Sequence, residues 1–90
     1  MSNRDRIYAD ITAERESQDA KWGPQTHSMP VWNAILAEEC GEVAQAALTI
    51  AFHGDTAEHL AHLREELVQV AAVAVHVIEK IDSGDWVRGR

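Results

Sequence analysis

Cysteine is almost missing from this 90-residue chain, and the single Cys40 excludes an internal disulfide and suits a reducing compartment. Proline is nearly as scarce. Its two residues, Pro24 and Pro30, mark one irregular stretch, KWGPQTHSMP, and leave the rest of the chain free for long helices. Basic residues are few, eight Lys and Arg against fifteen Asp and Glu, for a formal charge of -7. That balance argues against a nucleic-acid polymer as partner, because phosphate backbones demand clustered Lys and Arg. It leaves free nucleotides open, since bound cations can mediate that contact. No run approaches the ~18 apolar residues of a membrane span. The stretch MSNRDRIYAD has no apolar core, so no secretory leader is expected, and the expected location is the cytoplasm. There is no glycine-rich phosphate loop, no low-complexity tract and no repeat.

What is present reads as one all-α domain, residues 1–90. The pattern predicts helices over about 3–19, 30–53 and 55–82, a loop over 20–29 and a short tail over 83–90. Ile7, Tyr8, Ile11 and Ala20 give the first helix a narrow apolar stripe. Ser28 is the expected N-cap of the second, with Pro30 in its first turn and Gly54 as its stop. Asp55 or Thr56 caps the third, Glu58 lies in its first turn, and Ser83-Gly84 ends it. The tail DWVRGR is expected loose unless Trp86 pins it, with Arg88 and Arg90 in solvent. On the third helix, apolar residues from Leu60 to Ile81 cover roughly half the circumference, more than the third a monomer core needs. A chain this short buries only about 60% of its unfolded surface. Without disulfides, a metal or partner chains must compensate, so a homo-oligomer, dimer or tetramer, is expected.

The second helix carries acids where apolar residues belong. Taking Glu39 as origin at ~100° per residue, Trp32 and Ile50 fall at about 20°, Ala46 at about -20°, Val43 at about 40° and Ile35 at about -40°. Glu39 therefore projects from the middle of the apolar face. Glu42 follows at about -60° and Glu38 lies on the rim at about -100°. An ionised carboxylate in such a place must be paired, protonated or bound to metal. Two readings stay open at this point: a divalent cation of the hard, oxygen-seeking kind, Mg²⁺ or Mn²⁺, or an ion pair with Arg15 or Arg64. Glu66 and Gln69 repeat the same offset on the third helix. Oxygen donors at i and i+3 on two facing helices are a common bundle-core metal arrangement, which favours the cation.

Other candidates each carry two readings. Lys21 and Trp22 sit on a loop or helix end, either holding a phosphate and stacking on a base or serving as a solvated charge and a packing anchor. Trp32 flanks Glu39 or fills the core. Arg15 contacts phosphate or a glutamate, and His27 is a candidate ligand contact. His53, His59 and His62 lack the closed four-donor set that zinc wants and read as solvated or substrate-side groups. Cys40 reads as a small buried residue with no activating base.

The run EECGE, Glu38 to Glu42, followed by LREELVQVAAVAV, Leu63 to Val75, resembles the MazG-like nucleotide pyrophosphohydrolases of the all-α NTP pyrophosphatase superfamily. Those proteins carry E-x-x-E on one helix and E-x-x-D on the next. Glu39 and Glu42 match the first pair, while Glu66 and Gln69 match the second with glutamine in place of aspartate. The upstream ERESQDAKWGPQTH, Glu14 to His27, is similar to the corresponding segment of small bacterial and phage members. The likeness spans about residues 10–81. It implies a four-helix-bundle core completed by homo-oligomerisation. It also implies Mg²⁺-dependent cleavage of (d)NTP to (d)NMP and pyrophosphate, with Mn²⁺ as substitute. Glu39, Glu42, Glu66 and Gln69 become the implied metal ligands. Glu39 and Glu38 are the implied catalytic acids, Glu38 taking a second metal or deprotonating water. Arg15, Lys21, Trp22 and His27 are the implied substrate contacts. Gln69 removes one negative charge from the pattern, so the alternative is a catalytically weakened oligomer that binds nucleotides or acts as an interaction module.

Overall fold

Three helices account for nearly all of the computed structural model, which describes residues 1–88; Arg90, expected in solvent, lies outside the described residues. Helix α1 spans Asn3–Trp22 and starts in a capping box, in which the Ser2 hydroxyl accepts from Asp5 N–H and the Asp5 carboxylate accepts from Ser2 N–H. It runs one turn beyond the expected Asp19, so Lys21 and Trp22 belong to the helix and not to the loop. The stop is Gly23, whose φ of +68° suits glycine alone and whose N–H bonds Asp19 C=O at 2.8 Å.

Helix α2 spans Met29–His53. Ser28 occupies its N-cap, but the hydroxyl makes no capping bond, and Gly54 ends the helix as expected. Helix α3 spans Ala57–Ser83 and is capped by Thr56, not Asp55, with the Thr56 hydroxyl accepting from His59 N–H at 3.1 Å. The tail is tied down: Val87 N–H bonds His27 C=O at 3.0 Å, pairing the tail with the loop before α2, and the Asp85 carboxylate accepts from Lys80 at 2.7 Å and from the Thr26 hydroxyl at 3.3 Å. Arg88 stacks 4.0 Å over the Trp86 ring.

Helix α3 packs on both of the others, while α1 and α2 keep their backbones apart and meet through side chains that line a shared cavity. Arg64–Asp10 at 2.8 Å and Arg15–Glu79 at 2.8 Å fasten α1 to α3 along a parallel course. The core is thin. Trp32, Ala46, Ala72 and Val73 are its buried apolar members, and Trp32 is clasped edge-on between the rings of His27 and His76 at 4.8 and 4.7 Å. Tyr8 stays exposed, about 100° off the inward line of Ile7. Cys40, expected buried, is exposed for the same reason, about 100° from Glu39.

The chain's surface of 6176 Å² is larger than the ~5200 Å² usual at this mass. Its radius of gyration is 14.8 Å, against about 12 Å for a compact chain of this length. Large apolar side chains contribute to it. Leu60, Leu67, Ile78 and Ile81 form one uncovered stripe on α3, and Leu48 and Phe52 project from the end of α2. No described helix is long and apolar enough to cross a membrane.

Candidate metal centre

Helix α2 brings the half-buried Glu39 and the exposed Glu42, and α3 the buried Glu66, to a common point. One carboxylate oxygen from each of Glu39, Glu42 and Glu66 lies within 4.8 Å of the other two. Glu39 and Glu42 are one helical turn apart on α2, so their side chains leave the same face. Glu66 comes from the antiparallel α3 and is 9% exposed, deep enough that its charge meets little water. One oxygen each of Glu39 and Glu66, Oε2 in both, is enclosed without a hydrogen-bond partner. Buried acceptors in that state are costly, and natural structures rarely leave them so.

The cations that would neutralise them are engaged elsewhere. Arg15 holds Asp19 and Glu79, Arg64 holds Asp10, and Lys80 holds Asp85. The arginine reading of Glu39 is thereby removed: among the described residues no Lys or Arg pairs with it. Among the described residues only His62 forms an ion-pair contact with the cluster, with Nε2 at 3.8 Å from Glu66 Oε1. Burial pushes the Glu39 carboxyl above its ordinary value, and the charges of Glu42, Glu14 and Glu38 push it further. Burial likewise raises Glu66, helped by the close approach of Glu42 and the charge of Glu39 and opposed by His62. Two ionised carboxylates are both acceptors, so Glu42 and Glu66 can share a hydrogen bond only when one holds a proton. Three hard oxygen donors with two unsatisfied lone-pair sites fit a divalent cation.

The remaining sequence-predicted residues divide in two. Glu38 stays exposed on the rim, close enough for its charge to act on Glu39. Gln69 is half-buried one turn beyond Glu66, and its side chain makes no hydrogen bond among the described residues. Trp22, His27 and Trp32 line a cavity of about 240 Å³ whose wall also includes Glu39, Gln18 and Gln25. Lys21 is exposed, with its ammonium 4.7 Å from the Trp22 ring centre. Arg15 faces a separate cleft of about 600 Å³ with Asp19, Glu79 and Lys80. His59 is spent on its helix start, its ring bonding Gly54 C=O at 2.8 Å, and His53 is exposed.

Sequence reasoning passed over His76, which lines both the aromatic cavity and the cleft. Its proton affinity is lowered by burial and by the neighbouring Arg15 charge. It also passed over Gln18, buried at 8% exposure, and Glu14. The available signal was spacing: Ile7, Ile11, Glu14 and Gln18 recur at four, three and four residues, which is one face of a helix. Comparison of the chain with protein-family models, with curated proteins and with solved structures yields no match.

Proposed function

We propose that the protein is a metal-dependent nucleoside triphosphate pyrophosphohydrolase that converts (d)NTP to (d)NMP and pyrophosphate. The observation that carries this reading is the convergence of Glu39, Glu42 and Glu66 within 4.8 Å, with two enclosed oxygens lacking partners, and with Glu39 also on the wall of an aromatic cavity. The ordered likeness of EECGE and EELVQVAA to MazG-like enzymes adds the reaction class. Glu39, Glu42 and Glu66 would hold Mg²⁺ or Mn²⁺, with Gln69 offering a neutral oxygen nearby. Such an ion, when bound, neutralises phosphate oxygens and makes water more acidic.

The chain's own groups would do the rest. Glu38, exposed at the rim, is positioned to take a proton from water as the water oxygen attacks the α-phosphorus. The bond from that phosphorus to the bridging oxygen breaks, and pyrophosphate leaves with the bond electrons. Trp22 and His27 offer flat faces on which a base can stack, at the mouth of a cavity that begins at Glu39. The reading includes a homo-oligomer working in the cytoplasm, supported by the uncovered stripe of Leu60, Leu67, Ile78 and Ile81.

A second reading is favoured by Gln69. A site with one charge fewer holds its ion less tightly, and the bundle then serves as a nucleotide-binding or interaction module. Pyrophosphate release, assayed over a panel of canonical and modified nucleotides while Mg²⁺ or Mn²⁺ is titrated, separates the two. Metal-dependent release supports the enzyme; bound nucleotide without release at any metal concentration overturns it.

A further inference from the structure

Helix α1 turns one carboxylate inward and gives it no partner. Glu14 sits between Ile11 and Gln18 on the buried line of the helix and is itself half-buried. Ile11 shares a groove with Val68 and Ala71 of α3, and Gln18 shares the aromatic cavity with Val73 and Glu39. Glu14 therefore stands opposite the stretch of α3 that begins just after Glu66, on the side from which Gln18 reaches the Glu39 cavity. The other acids of α1 that face α3 are neutralised, Asp10 by Arg64 and Asp19 by Arg15. Glu14 makes no hydrogen bond or ion pair among the described residues. Its neighbour Arg15 directs its guanidinium away, to Asp19 and Glu79.

A half-buried acid on this side of α3, with its charge felt at Glu39, calls for a positive group nearby. The independent sign of that positive group is Glu66, nine-tenths buried with Oε2 enclosed and unsatisfied. We propose that Glu14 is a fourth carboxylate of the centre, supplied by α1 as an outer group that stabilises the bound cation through solvent and charge. It is not among the oxygens that meet within 4.8 Å, so it acts beyond the direct ligands, as outer carboxylates of metal sites commonly do. The same charge acts on Glu39, raising its proton affinity in the metal-free protein. The inference rests on the metal reading of Glu39, Glu42 and Glu66 and makes the centre a product of all three helices.

Mn²⁺ titration by calorimetry on the full chain, with thermal melts of the metal-free proteins, tests it through wild type, Glu14→Gln, Glu14→Asp and Glu66→Gln. Glu14→Gln is expected to weaken Mn²⁺ binding by about 10–100-fold at unchanged stoichiometry. It should also raise the metal-free melting temperature, because a repelling charge is gone, and Glu14→Asp should recover part of the affinity. A purely structural role would lower both quantities together, and that result overturns the inference. So does wild-type affinity in Glu14→Gln when Glu66→Gln has lost binding. Wild-type affinity in both variants instead overturns the metal reading beneath it.

Discussion

Replacing Glu66 with glutamine should stabilise the metal-free protein while destroying its response to metal. At 4.8 Å, two carboxylates repel by about 3.5 kcal/mol at an effective dielectric of 20 and by about 0.9 kcal/mol in water. Glu66 faces two such neighbours, but Glu42 is exposed and the cluster can relieve itself by taking up a proton. A gain of roughly 1–3 kcal/mol at pH 7.5 is therefore expected, which for a domain of this size raises the melting temperature by roughly 5 °C or more. The gain has a defined pH dependence. Glu66 has a folded-state affinity for protons above its ordinary value of 4.5. Its penalty is thus fully present above the raised value and fades as pH falls towards 4.5.

His76 has the opposite shift, its proton affinity lowered by burial, so it costs stability as pH falls below its ordinary value of 6.5. That contribution is common to both proteins and cancels in their difference. The assay is thermal melting of wild type and Glu66→Gln from pH 4.5 to 8 in chelator, at equal protein concentration. A repeat at saturating Mn²⁺ should reverse the ranking, since a ligand at 100 times its dissociation constant adds about 2.7 kcal/mol to the form that binds it. A metal-free variant less stable than wild type at pH 7.5, or a difference that does not change with pH, refutes the reasoning.

Two further substitutions probe other parts of the account. Trp22→Ala should raise KM for nucleotide by about 5–100-fold, the worth of one stacked base, and leave Mn²⁺ affinity within twofold; steady-state kinetics beside calorimetry reads both. Ile78→Glu places a charge on the uncovered α3 stripe, where the wild-type side chain is 56% exposed. It should convert the proposed oligomer to monomer in sedimentation velocity, and an unchanged sedimentation coefficient argues that this stripe is not an oligomer contact.

Most element boundaries were legible where glycine or a hydroxyl residue punctuated the chain. Gly54, Gly84 and Thr56 act as the sequence suggests. The end of α1 was misplaced because its last turn is polar and gives no periodic signal, while the real stop is Gly23. The acids of α2 and α3 were legible because each interrupts an apolar face, a conflict visible at 100° per residue. Glu14 gave no such conflict: α1 is polar nearly throughout, and the only signal was its helical spacing from Ile7 and Ile11. The fate of Arg15 and Arg64 was not legible either. Both had acids within reach on several helices, and packing alone decides that they serve Glu79, Asp19 and Asp10 and do not pair with Glu39.

The central claim is that Glu39, Glu42 and Glu66 together hold a divalent ion. Calorimetric titration of Mn²⁺ into wild type and Glu39→Gln at pH 7.5 tests it most directly, with circular dichroism as a check that both are folded. The account predicts saturable binding to wild type and none to the folded variant. Equal binding by the two proteins, or none by wild type, would contradict it.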